Sequence, residues 1–389
     1  MSNKLKVLAL IPDFIEKPSG GMGEQFRYLH QHLSDKVDYY ICGYPEKNSI
    51  KNYRNVFTPM PGIEHVALIT ASGQLNYFYE SLKHNIKPDI IHGFDWSTYV
   101  AAVHLAWYYD VPLINTMQLS VEQLNNVGIA FCQDIKSIDG QYINKMQVIF
   151  EHFGLHYANK VIQVSNAYSN YYSQYKDKTT VIHNGIDTEK WVKTEDYKLP
   201  GKNKIKMCYI GRASIMKGMR ALLETSIPKD VDFYFIVSPK NAEEDLFQRI
   251  KDKVNNENIF HIEGLYGQDK INALFAMDAV IMPSVHEPFG IVALEALISK
   301  NILLTSRVDG LSDFLDDTNS IKINDIKPYD ILTAINKFKI LKQEEKNKLL
   351  ENGAKTALQY KWKNKVKDVY EVYQSVLGQK PIQNIVSPF

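Results

Sequence analysis

Along the chain, short apolar runs alternate with longer segments in which apolar residues recur every three or four positions. Apolar runs of four to eight residues mark strands covered on both faces, and the longer period marks amphipathic helices packed against them. In the first half this pattern predicts strands near 6–12, 37–43, 64–70, 89–92, 111–117, 160–164 and 179–182. Helices are predicted between them near 22–34, 72–86, 96–108, 140–157 and 166–175. The periodicity lapses in the stretch from Gly185 to Gly201, which collects Pro, Gly and charge as an interdomain linker does. It then restarts with strands near 205–210, 231–238, 258–262, 278–282, 301–305 and 319–323, separated by helices near 217–226, 241–255, 267–276, 288–299 and 327–340. Two Lys/Glu-rich helical segments, near 343–359 and 362–377, end the chain. Strand and helix in regular alternation give an α/β chain of two doubly wound domains, 1–184 and 205–360, with 185–204 between them and a terminal helical segment, 361–389. Two such domains facing each other enclose a central cleft at the carboxyl ends of their strands, where ligands bind.

A hydrophobic fraction of 45% with 23% charged residues excludes a disordered, collagen-like or coiled-coil chain. Lys+Arg 45 against Asp+Glu 44 writes no overall attraction to nucleic acid or anionic membrane into the sequence. Cys42, Cys132 and Cys208 are far apart and lack zinc or redox spacing, which fits small buried hydrophobes in a reducing compartment. No apolar stretch reaches the roughly 18 residues of a membrane span, and the N-terminal apolar run is too short for a secretory signal, so a cytoplasmic location is expected.

The densest chemistry lies in Pro283-Ser-Val-His-Glu287-Pro288-Phe289-Gly290-Ile291-Val-Ala-Leu-Glu295. A strand ends at Pro283 and a helix is expected to open around Pro288, whose fixed φ suits a first turn. A helix N-terminus offers unpaired N–H groups and partial positive charge to a phosphate, and Gly290 lets a ligand approach the backbone. Glu287 and Glu295 are eight residues apart, about 12 Å along a helix at roughly 1.5 Å per residue, a span comparable to that from sugar to ribose in a nucleotide-sugar. Glu295 sits in a helix apolar nearly all round, so its carboxylate needs a partner: a ligand, or a structural lysine. A second loop, Gly211-Arg212-Ala-Ser-Ile-Met-Lys217-Gly218, joins strand to helix and carries two cations suited to a diphosphate, although its spacing is not that of a P-loop. Gly20-Gly21-Met-Gly23 follows the first strand; Phe26 stands where a dinucleotide fingerprint needs its third glycine, so a backbone loop approaching a ligand is the better reading.

Other patterns are read as structural. His152 and His156 have i,i+4 spacing without the glutamate of H-E-x-x-H. Asp230-Val-Asp232 is read as a solvated turn, and Tyr168 through Tyr175 as the amphipathic face of a surface helix.

Taken in order, Gly20-Gly21, His92-Gly-Phe-Asp95-Trp96, Val164-Ser165, Asn184-Gly185-Ile-Asp187, Gly211-Arg212 with Lys217-Gly218, Gly264, and Glu287 through Glu295 span nearly the whole chain. This set resembles glycosyltransferase family 4, retaining enzymes of the GT-B fold, with glycogen synthases as structural relatives; the last block matches the family's E-x7-E signature. The resemblance implies two Rossmann-like domains, a C-terminal one holding the nucleotide-sugar donor and an N-terminal one holding most of the acceptor, and a final helix that crosses back to the N-terminal domain. By position, Arg212 and Lys217 would bind the diphosphate and stabilise the leaving group, and Glu287 would contact the transferred sugar. Gly290 and Ile291 would offer backbone amides beside Phe289, Glu295 would hold the ribose, Gly264 would line the donor site, and Gly20 and Gly21 would close over the donor. Asp95 and Gln118 fall at the acceptor and sugar positions.

The sequence departs from the family at three places. Gln118 replaces a frequent histidine and cannot take a proton, Ser238-Pro-Lys-Asn241 replaces a glycine-rich turn at the base pocket, and Asp309 precedes Gly310 where a second glycine is common. The expected activity is retaining, metal-independent transfer of a hexose, glucose from UDP-glucose, to an acceptor that is a lipid, polysaccharide, protein, small molecule or modified nucleic acid. No cofactor beyond the nucleotide-sugar co-substrate is expected. The alternatives are a non-catalytic sugar-nucleotide-binding protein and a sugar-nucleotide epimerase on the same fold.

Overall fold

The computed structural model describes residues 4–12, 21–43, 77–79, 81–83, 86–129, 138–239 and 242–383. The strand expected at 64–70 and most of the helix expected at 72–86 fall outside these residues, as do Gly20 and Cys132.

The chain divides into two compact units, Met1–Asn184 with Lys363–Phe389, and Gly185–Trp362. The first contains β1 (Leu5–Ile11), β2 (Val37–Gly43), β3 (Ile90–Phe94), β4 (Leu113–Met117), β5 (Lys160–Gln163) and β6 (Thr179–Val181). They form one sheet in the order β2-β1-β3-β4-β5-β6, parallel throughout. The second contains β7 (Ile205–Ile210), β8 (Val231–Ile236), β9 (Ile259–Ile262), β10 (Ala279–Met282), β11 (Ile302–Thr305) and β12 (Ser320–Lys322), ordered β12-β11-β10-β7-β8-β9 and again parallel. Parallel strands require crossover helices on the sheet faces, so their residues are covered on both sides. That is why β3, β4, β8, β10 and β11 are buried from end to end and read as mainly apolar runs, with the few polar residues among them, such as His92 and Asp232, hydrogen-bonded.

Each sheet reverses its strand order once, between β1 and β3 in the first unit and between β7 and β10 in the second. At such a reversal the flanking loops run to opposite faces and leave a crevice beyond the carboxyl ends of the strands. The loops leaving β7 and β10 are Gly211–Gly218 and Pro283–Gly290; the loop leaving β3 carries Asp95.

The terminal helix Trp362–Val376 is keyed into the first unit by polar contacts inside an apolar setting. His92, fully buried on β3, places Nδ1 at 2.8 Å from the Tyr373 hydroxyl and Nε2 at 2.7 Å from Thr116 Oγ1. Burial drives its pKa down to about 3, so the imidazole is neutral and each ring nitrogen has one role, donor or acceptor.

Asp232 is not in a solvated turn. It lies fully buried in β8, where its carboxylate accepts from the Asn203 backbone N–H and side-chain amide, both at 2.9 Å; Asp230 is the exposed member, paired with Lys339. The Tyr168–Tyr175 stretch is amphipathic as expected: Tyr168 and Tyr172, four residues apart, are fully buried while Tyr171 between them is exposed. The hydroxyls of the buried pair meet Ser120, at the start of the helix Val121–Asn126, which the apolar pattern alone does not predict. His152 bridges Glu122 at 3.0 Å and the Tyr175 hydroxyl at 3.2 Å, and among the described residues no cluster of His, Cys, Asp or Glu is built to hold a metal ion.

Candidate functional site

In the second unit, the loops from β7 and β10 are laced together. Val285 and His286 donate their backbone N–H groups to the Met216 carbonyl, at 2.9 and 3.2 Å. Gly218 permits this approach, because a Cβ at its position, already at φ +70°, would lie 1.8 Å from the Pro283 carbonyl oxygen. The lacing brings two of the predicted residues into direct contact: Lys217 Nζ donates to Glu287 Oε2 at 2.6 Å, with Ser284 Oγ at 3.4 Å from the same oxygen. The lysine side chain is 20% and the glutamate 9% exposed, so the pair is secluded without being sealed from solvent. Arg212 is exposed on the same loop, its carbonyl accepting from the Tyr209 hydroxyl.

The helix expected to open at Pro288 opens at Ile291. Gly290 caps it at φ +101°, where a Cβ would meet Leu311 Cδ2 at 2.4 Å, so Glu287 precedes the helix rather than riding on it. The 12 Å helical spacing expected for the two glutamates therefore does not apply; only Glu295 is helical. The Phe289 ring is buried against Phe314 and Tyr360, with centroids at 5.2 and 5.7 Å, which leaves only its backbone to offer a ligand. Glu295, buried one turn inside the helix Ile291–Ile298, is met by Lys270 of the helix Gly267–Phe275, whose Nζ lies 2.7 Å from Oε1 and 2.6 Å from Oε2. Trp191 stands 5.9 Å from that ammonium. Gly264, just beyond β9, is exposed at φ +75°.

The first unit groups the other candidates around its own strand reversal. Gly21 opens the helix Gly21–Leu33. Asp95 caps the helix Trp96–Tyr109 from a backbone of φ 66° and ψ 158°, a conformation unusual for any residue but glycine and a frequent mark of functional positions. Its carboxyl accepts the Trp96 N–H at 3.0 Å and that of Leu119, while burial raises its pKa to about 7. Gln118 is buried, donating to Gln25 Oε1 at 2.5 Å and accepting from Asn184 Nδ2 at 3.1 Å. After Gln118 the chain reaches Glu151, which accepts from the Val121 N–H at 2.8 Å, from Ser120 Oγ at 3.1 Å and from the Tyr172 hydroxyl; burial raises its pKa to about 8.

Several of these residues escape sequence reasoning: Lys270, Ser284, Asn184, Gln25 and Glu151. Lys270 was signalled only as an unspecified lysine that could partner Glu295; Ser284 and Asn184 lie inside quoted motifs that gave them no role, and Gln25 and Glu151 sit on helices with no signal of their own.

Two family models match in succession, Glycosyltransferase Family 4 over residues 19–190 and Glycosyl transferases group 1 over residues 192–374. The chain belongs to glycosyltransferase family 4. It is a glycosyltransferase of the GT-B fold, with two Rossmann-like domains. It is 24% identical to an uncharacterized glycosyltransferase of Methanocaldococcus jannaschii, covering 95% of this chain and 98% of that one. It is 25% identical to an alpha-maltose-1-phosphate synthase of Mycobacterium tuberculosis, over 80% and 82% of the two chains. Against a glycogen synthase of Mycobacterium tuberculosis the identity is 23%, and the match spans only 54% of that enzyme's length. Among solved structures, sucrose-phosphate synthase from Thermosynechococcus elongatus superposes with a TM-score of 0.77 at 15% identity, covering 96% of this chain and 99% of that one. Anabaena HepE in complex with UDP-glucose superposes with a TM-score of 0.72 at 16% identity, covering 95% and 100%. No helix among the described residues is long and apolar enough to cross a membrane.

Proposed function

We propose that the protein is a retaining, metal-independent hexosyltransferase that moves glucose from UDP-glucose to an acceptor hydroxyl. The observation that carries this reading is the Lys217–Glu287 contact at the β7/β10 reversal, with Arg212 on the same loop. A diphosphate entering the crevice competes with Glu287 for the Lys217 ammonium. Lys217 and Arg212 then face the negative charge that grows on the leaving group as the glycosidic bond breaks, the role a metal ion fills in other transferases. Glu287, released from Lys217, is left to accept from a hydroxyl of the transferred sugar. The bond from the anomeric carbon to the diphosphate oxygen breaks, the acceptor oxygen bonds to that carbon on the same face, and the acceptor proton passes to the departing diphosphate. Glu295 holds the ribose hydroxyls with Lys270 balancing its charge. The choice of uridine and glucose is supported by the HepE complex with UDP-glucose, a protein of the same fold. Asp95 and Gln118, on the other unit, are assigned to acceptor and sugar hydroxyls; Gln118 is limited to hydrogen bonding, so no proton transfer is assigned to it.

The test is nucleoside diphosphate release from UDP-, ADP- and GDP-sugars with EDTA present. Release from UDP-glucose, lost in Glu287→Ala and Lys217→Ala of unchanged fold, is the expected result. Undiminished turnover in both variants refutes the site, abolition by EDTA refutes metal independence, and a product of inverted anomeric configuration refutes retention.

A further inference from the structure

Asp309 holds a left-handed backbone that favours glycine, with φ at 44°. A carboxylate kept at such a position suggests work for the side chain. That side chain reaches the peptide of Glu287: the Glu287 N–H donates to Asp309 Oδ2 at 3.0 Å, and the N–H of the following residue, Gly310, donates to the Glu287 carbonyl at 3.1 Å. The same Oδ2 lies 2.8 Å from Nδ1 of His286, which is 1% exposed. Because an ionised carboxylate only accepts, Nδ1 carries the proton in this contact, whichever charge state the ring holds. His286 is itself anchored through its backbone N–H to Met216, on the loop that carries Lys217. The Glu287 main chain is thus gripped on both its N–H and its carbonyl by residues 309 and 310, and the grip is braced by a buried imidazole.

We propose that Asp309 and His286 form a positioning clamp that fixes the backbone of Glu287 so that its carboxylate meets the transferred sugar in the transition state. This inference rests on the donor-site reading given above. A group held on the chain's own framework loses little orientational freedom as the reaction proceeds, and a displacement of about 1 Å at such a group costs on the order of a hundredfold in rate. Asp309 touches no reacting atom in this scheme; it acts through Glu287. Because the clamp fixes geometry rather than donor affinity, its loss falls on kcat more than on KM.

The experiment compares Asp309→Gly, Asp309→Asn and His286→Leu with the intact chain, measuring kcat and donor KM by diphosphate release, and Tm separately. Asp309→Gly relieves the backbone penalty while deleting the carboxylate, so a merely conformational role leaves activity unchanged or raised. The clamp predicts instead a kcat about ten- to a hundredfold lower with donor KM within about twofold, in a protein that still folds although its Tm falls by a few degrees because the buried His286 Nδ1–H loses its acceptor. Asp309→Asn keeps an acceptor for the Glu287 N–H and tolerates the left-handed backbone, so it is expected within about threefold of the intact chain, a conservative rescue. His286→Leu removes the brace and is expected to lower kcat several-fold, which supplies the decision if the glycine variant does not fold. A folded Asp309→Gly or His286→Leu with kcat within twofold of the intact chain overturns the clamp. Glu287→Ala and Lys217→Ala run alongside: if they lose activity while the clamp variants keep it, the clamp alone fails, and if they keep it too, the donor-site reading fails first.

Discussion

Replacing Lys270 with methionine strips Glu295 of its counter-ion and leaves a carboxylate at 11% side-chain exposure inside an apolar helix. Breaking a fully buried pair from one side costs about 3–5 kcal/mol. Here the lysine is 25% exposed, so water screens part of the interaction and about 2–3 kcal/mol is the expected loss. An independent bound comes from protonation, the route by which a stranded carboxylate can shed its charge. For a glutamate of ordinary pKa near 4.3, that costs about 3.7 kcal/mol at pH 7 and about 1 kcal/mol at pH 5. The destabilisation in Lys270→Met therefore has a ceiling that falls as the solution is acidified. Thermal and urea unfolding at both pH values measure it: at pH 7 a Tm lower by about 4–12 °C is expected for a unit of this size, shrinking to a few degrees at pH 5. The Trp191 contact with Lys270 is also lost, a contribution of about 0.5–1 kcal/mol without this pH dependence. The double variant Lys270→Met/Glu295→Met, apolar on both sides, should recover much of the stability, because the cost lies in the uncompensated charge. A loss equal at pH 5 and pH 7, or additive losses in the double variant, would refute the reasoning.

Burial raises the Glu151 carboxyl to about 8 and Asp95 to about 7, so the folded chain binds protons that an unfolded carboxylate with an ordinary pKa releases. Their stability contribution is therefore greatest at low pH and falls from about pH 4 to about pH 8. Glu151→Gln, which keeps a neutral amide among Ser120, Val121 and Tyr172, should flatten the part of that decline above pH 4.5, most visibly in a denaturant midpoint at pH 8; an unchanged slope counts against a neutral buried acid. Gly218→Ala should lower stability by more than about 1 kcal/mol, since the 1.8 Å approach to the Pro283 carbonyl and the positive φ both oppose a Cβ, and a melting curve superimposed on the intact chain's would show that the two loops separate freely.

The fold was legible because a parallel sheet writes itself as apolar runs, and the site loops because each follows such a run. The β7 and β10 loops were found from local pattern alone, as were Lys217 and Glu287 within them; that the two side chains touch depends on residues 70 positions apart and is not a property of either segment. The errors have a common physical origin. Pro288 carries a first-turn preference and Gly290 a φ of 101° that ends the turn before the helix begins, and the second constraint wins because Leu311 fills the space a side chain would need. Asp232 looks solvent-facing by composition, yet it is buried because a distant polar partner, Asn203, satisfies it. Sequence patterns report what a residue prefers alone; burial of a polar group depends on what the fold brings to meet it. Asp309 shows how the two can be joined. As sequence it is a departure from a common glycine, and as structure it is a carboxylate seated in a glycine's backbone geometry, 3.0 Å from the N–H of Glu287. Tolerating that backbone is explicable if the side chain improves the placement of Glu287, which makes the activity of the glycine variant the decisive comparison.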